Sequence, residues 1–67
     1  MPIRLRLRQS IYILEEPTTG LAYQVRGRAP RLKPRATASH FGCARSAMEA
    51  ASATLAGTPH ELVRVDA

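Results

Sequence analysis

An α+β fold, a small antiparallel sheet of three to four strands with one helix packed on one face in the order β-β-(β)-α-β, is predicted by three features of the sequence. Apolar residues alternate strictly near the start, as a half-buried strand requires. Turn residues separate that run from a second alternating run. An alanine-rich segment then repeats its apolar positions at helical spacing and ends at a glycine.

In the first run Ile3, Leu5, Leu7, Ile11 and Ile13 share one face, while Arg4, Arg6, Arg8, Ser10 and Tyr12 share the other. Glu15-Glu16-Pro17-Thr18-Thr19-Gly20 is turn chemistry, because Pro fixes φ and Gly permits a positive one. Leu21, Tyr23 and Val25 alternate beyond it, so residues 3–14 and 21–28 read as a β-hairpin. With odd positions inward, core faces core only if paired residue numbers add to an even total. Totals of 34 or 36 set Arg8 against Arg26 or Arg28. Like charges opposite one another are destabilising, and a bound anion would relieve them. Residues 29–35 read as a basic, Pro-rich loop, and Ala36 to Phe41 as a short third strand. The helix is expected over 40–56, with Ala44, Ala47, Met48, Ala51 and Leu55 inward. Leu62, Val63 and Val65 place a closing strand at 61–65.

Sixty-seven residues allow a single small domain, 1–67. Its 30 apolar residues include 11 alanines, no Trp and one Phe, so the core is thin. A drug-sized enclosed pocket does not fit. Charge is distributed unevenly. Residues 1–35 carry eight basic side chains against Glu15 and Glu16, a balance of +6, and residues 36–67 carry −1. Such a one-sided field attracts polyanions. Nine of the ten basic residues are Arg, whose planar fork pairs bidentately with phosphate or guanine. An Ala- and Arg-rich, Asn-free composition also follows from a GC-rich coding sequence, which accounts for Arg over Lys but not for the asymmetry. One Cys excludes an internal disulfide, and the longest large-apolar run, Ile11 to Leu14, is far short of a membrane span. A cytoplasmic location without membrane contact is the expectation.

No cofactor, metal or catalytic residue is assigned. His40, Cys43 and His60 supply three N or S ligands, with Glu61 beside them, where a structural zinc site normally takes four N or S ligands. Cys43 is expected to be a buried small apolar residue rather than a nucleophile served by His40. Arg26-Gly27-Arg28 with Pro30 looks like the centre of an AT-hook, but Ala29 stands where that motif has Pro. A hairpin strand running into a loop is preferred there.

The segment Phe41-Gly42-Cys43-Ala44-Arg45-Ser46-Ala47-Met48-Glu49-Ala50, together with the strand order, resembles the three-strand-plus-helix DNA-binding domain of phage integrases and plant ethylene-response factors. The resemblance implies that Phe41, Ala44, Ala47, Met48 and Ala51 pack the helix on the sheet. It also places Arg4, Arg6, Arg8, Arg26 and Arg28 on the groove-reading face. The chain departs from that family in having no Trp, no Gly-rich link between the second and third strands, and an added terminal strand.

The resulting expectation is a non-enzymatic binding module for nucleic acid, DNA ahead of RNA. Its site residues are Arg4, Arg6, Arg8, Tyr12, Arg26, Arg28, Arg31, Lys33 and Arg35. If the helix covers the odd-numbered face, the arginines and Tyr12 stand open on the other, and Tyr12 is free to stack on a base. The alternative is an inhibitor or adaptor of the kind phages and mobile elements encode, anti-CRISPR-like, docking on an acidic protein surface. A homodimer would supplement the thin core.

Overall fold

In the computed structural model, residues 10–26 and 29–66 are described. They form strand β1 (Ser10–Glu15), β2 (Ala22–Gln24), β3 (Arg31–Lys33), helix α1 (Ala44–Thr54) and β4 (Glu61–Asp66). The four strands make one antiparallel sheet in the order β3-β2-β1-β4, with the single helix against it. The α+β arrangement is as expected. The first part of the expected hairpin, with Arg4, Arg6 and Arg8, and its end at Arg28, lie outside the described residues.

The β1–β2 turn is built around Glu16. Its carboxylate accepts the Thr18 N–H at 2.9 Å, the Thr18 hydroxyl at 2.7 Å and the Thr19 N–H at 3.1 Å. Gly20 closes the turn at φ +73°, where a side chain would be strained. The Thr18 hydroxyl, then the amides of Thr18 and Thr19, hold the Glu16 carboxyl below its ordinary value of 4.5. A depressed carboxyl pKa stabilises the fold above its unfolded value, and that contribution disappears as pH falls through the folded value. Glu16→Gln is therefore expected to lower the melting temperature slightly at pH 7. Wild type and variant should converge below pH 4.5, as read by melts followed by circular dichroism.

The hairpin register differs from the expectation. Glu15 pairs with Ala22, an odd total, so the assumption that odd positions alone face the core is overturned. Both Ile13 and Leu14 are 1% exposed, because both faces of the sheet are covered. On one face Leu14 and Tyr23 pack against Ala47, Ala51 and Leu55 of the helix side, with Tyr12, Val25 and Phe41 around them. On the other, Ile13 and Ala22 pack under Ala38, flanked by Val63 and Val65. The alanine-lined helix sits against the face carrying the larger side chains. The smaller residues of the opposite face are closed by a turn, in which Thr37 and Ala38 donate to the Pro34 carbonyl at 3.0 Å.

The third strand is also displaced. It occupies Arg31–Lys33, inside the segment expected to be a loop, pairing Ala22 with Lys33 and Gln24 with Arg31. Pro30 and Pro34 flank this strand rather than interrupt it, which an edge position permits. Ala36 to Phe41 supplies only an isolated bridge, Phe41 exchanging backbone hydrogen bonds with Tyr12 at 2.8 and 2.9 Å. Nearby, Ser39 donates to the Tyr23 carbonyl and its hydroxyl accepts the Val25 N–H. Ser39 to Phe41 thus takes over the edge of β1 where β2 departs.

Helix α1 is shorter than the expected 40–56 span. It begins after Cys43, whose backbone is extended, and ends before Leu55. Gly57, at φ +79°, turns the chain back and Pro59 prevents continuation. Of the expected inward positions Ala47, Ala51 and Leu55 are buried and Ala44 is half-buried, but Met48 is 58% exposed. The Tyr23 hydroxyl donates to the Pro59 carbonyl at 3.1 Å, tying β2 to the loop after the helix. Tyr23→Phe should cost about 1 kcal/mol by denaturant unfolding, the net worth of one such bond.

The closing strand runs one residue beyond its expected end and pairs with β1 along its full length. Among these pairs Glu15 stands directly opposite Glu61. Like charges so placed are unfavourable, and the Arg35 guanidinium, which pairs with Glu15, offsets part of the cost.

Candidate anion-binding face

Four basic side chains of the described residues, Arg26, Arg31, Lys33 and Arg35, gather on the sheet face away from the helix, while Arg45 lies on the helix and Arg64, cross-strand from Tyr12, on the helix side. Lys33 is cross-strand from Ala22, and Ala22 packs with Ile13 and Ala38 on that face. Alternation puts Gln24 and Arg31 there as well, since they pair with each other two positions along. Arg31 is exposed and Lys33 half-buried, on a three-residue strand at the rim of the sheet. Arg26 follows β2 and is exposed. It lines an open groove of about 490 Å³ together with Gln24, Ser39, His40 and Phe41.

Arg35 belongs to the same side, beside Ile11, Ile13 and His40, but its guanidinium is engaged by Glu15. A ligand anion must therefore compete with a carboxylate for it. His40 is oriented by its Nε2, 2.8 Å from the Arg35 carbonyl. The sequence reading missed Gln24 and His40 as parts of this face. The signal for Gln24 was the Arg31/Lys33 alternation, which marks a strand needing a partner.

Tyr12 is not part of the face. It points to the helix side, half-buried against the core and bridged to Phe41, so the expected role of an open stacking aromatic is overturned. The cause is the register: with the helix on the even-numbered side of β1, Tyr12 lies beneath it instead of opposite it. Arg4, Arg6, Arg8 and Arg28 lie outside the described residues. Arg26, Arg31, Lys33 and Arg35 are brought to one side.

Cys43 is exposed rather than buried, because its extended backbone precedes the first helical turn at the surface. Its Sγ lies 3.2 Å from the Ser46 Oγ. That hydroxyl, with the amides of Ser46 and Arg45 adding to it, lowers the thiol below its ordinary range. Iodoacetamide should therefore alkylate Cys43 a few-fold faster at neutral pH than an unperturbed thiol, and Ser46→Ala should slow the reaction. The His40 Nε2 lies against the Arg35 carbonyl and the Cys43 thiol against the Ser46 hydroxyl. Among the described residues no three His, Cys, Asp or Glu side chains are grouped to hold a metal ion, and no helix is long and apolar enough to cross a membrane.

Comparison with protein-family models, with curated proteins and with solved structures gives no match for the chain.

Proposed function

We propose that the chain is a small, non-enzymatic nucleic-acid-binding module that holds phosphates on the sheet face opposite its helix. The observation that carries this reading is the edge strand with Arg31 and Lys33 two positions apart on one face, beside Gln24 and Arg26. Two cations at that spacing lie roughly 7 Å apart along the strand, close to the spacing of successive phosphates in a nucleic-acid backbone. The +6 balance of residues 1–35 supplies the long-range attraction, and Arg4, Arg6, Arg8 and Arg28 contribute four of those charges. Gln24 adds a neutral donor and acceptor, so phosphate contact dominates and sequence discrimination is modest.

A second reading, docking on an acidic protein surface, is favoured by one feature. Arg35 already holds a carboxylate on this face, the group such a surface offers. Fluorescence anisotropy with labelled duplex DNA, single-stranded DNA and RNA, each at several salt concentrations, separates the two. Saturable binding, tightest to duplex DNA, with a linear fall of log affinity against log salt is the expected result. No binding at low salt would refute the nucleic-acid reading.

A further inference from the structure

The helix side of the molecule carries a different surface. Met48 is 58% exposed and Leu62 37% exposed, and both border one groove of about 600 Å³ whose floor includes Leu14 and Leu55. Met48 also borders a second, shallower depression with Arg45 and Glu49 on the outer side of the helix, so it stands as a ridge between two hollows. We propose that this face binds a second copy of the chain about a two-fold axis near Met48, each Met48 entering the groove beside the other.

Three observations select a second copy as the occupant. The first is the core. Only Ile13, Leu14 and Leu55 are large side chains fully enclosed among the described residues. Chains of this size often supplement such a core with a disulfide, a metal or self-association. A single Cys removes the internal disulfide, and the described residues group no metal ligands. The second is shape. A two-fold contact uses the same patch twice, so it needs a projection and a hollow side by side, which Met48 and its groove supply. The third is charge. Arg45 and Glu49 flank Met48 one helical turn apart, and neither joins an ion pair among the described residues. A two-fold axis through Met48 makes the helices antiparallel. Arg45 of each copy then lies within about 3 Å, along the axis, of the other copy's Glu49. The two Glu49 carboxylates come equally close to each other along the axis, a repulsion that the two Arg45 guanidiniums offset. Glu49 and Glu61 disfavour a polyanion here.

This inference does not rest on the nucleic-acid reading, because the patch and the basic face are on opposite sides of the sheet. Sedimentation equilibrium of the full chain in about 0.15 M salt without nucleic acid tests it, over roughly 1 to 100 µM. Wild type is expected to be a dimer at the upper end. Met48→Glu should be monomeric with an unchanged circular dichroism spectrum. Arg45→Glu should weaken association about tenfold, and adding Glu49→Arg should restore it. A wild type that stays monomeric at about 100 µM would overturn the proposal. So would a folded Met48→Glu that still dimerises, or an Arg45→Glu variant of unchanged affinity.

Discussion

Leu55→Ala is expected to remove half or more of the folding stability and to leave no cooperative melt well above room temperature. Leu55 is fully enclosed at the end of α1, where it joins Leu14, Tyr23, Ala47 and Ala51 in the larger of the two small core clusters among the described residues. Truncating such a residue costs about 2 to 5 kcal/mol, the spread reflecting how far the site can collapse. A chain of this length holds only about 3 to 10 kcal/mol in total. The neighbours Ala47 and Ala51 have no side-chain length to move into the gap, so the cost should lie in the upper part of the range. Leu32→Ala, at an exposed position on β3, is the control and should change stability by no more than about 0.5 kcal/mol. Denaturant unfolding of both variants checks the pair. An unaltered Leu55→Ala transition would contradict the packing of helix on sheet.

The elements legible in the sequence were those with a strong local period. The Glu16 to Gly20 turn, the Ala47/Ala51/Leu55 stripe, Gly57 and the closing strand, one residue longer than expected, stand where their spacing placed them. Ile11 and Ile13 lie in a strand as read, but on the face away from the helix. The register was not legible, because alternation was read as one buried face and one wet face. Here Ile13 and Leu14 are adjacent and both enclosed, the second face being closed by a turn whose apolar contribution is the single Ala38. Nothing in the spacing of Pro34 to Ala38 announces that it folds back over β1. Tyr12 was misplaced for the same reason. The third strand was hidden because Pro30 and Pro34 read as loop residues, although neither occupies a position in the ladder. Cys43 was assigned by its usual preference for burial, which the surface start of the helix overrides here. The basic face was legible as charge but not as geometry. Arg31 and Lys33 were named as loop cations, and their common face appears only once β3 pairs with β2.

The double variant Arg31→Ala/Lys33→Ala is expected to reduce affinity for duplex DNA by roughly tenfold or more at moderate salt. It should also lower the slope of log affinity against log salt by about 2, one for each phosphate contact removed. Both side chains project from a short edge strand and neither is enclosed in the core, so the melting temperature should change little. Arg35→Ala should have a smaller effect on binding, since its guanidinium is shared with Glu15. It should lower stability instead, by leaving Glu15 opposite Glu61 without a cation. Glu61→Thr should do the reverse, raising stability by up to about 1 kcal/mol through relief of that pair. The contrast separates a ligand-holding cation from a structural one on the same face.

The central claim is that phosphates meet the sheet face opposite the helix. Amide chemical-shift mapping during titration with a short DNA duplex reads that face directly. The expected result is that Gln24, Arg26, Arg31 to Lys33 and Arg35 shift together, with His40, while Met48, Ser52 and Leu62 on the helix side stay still. Shifts concentrated on the helix side, or none in β3 at saturation, would contradict the claim.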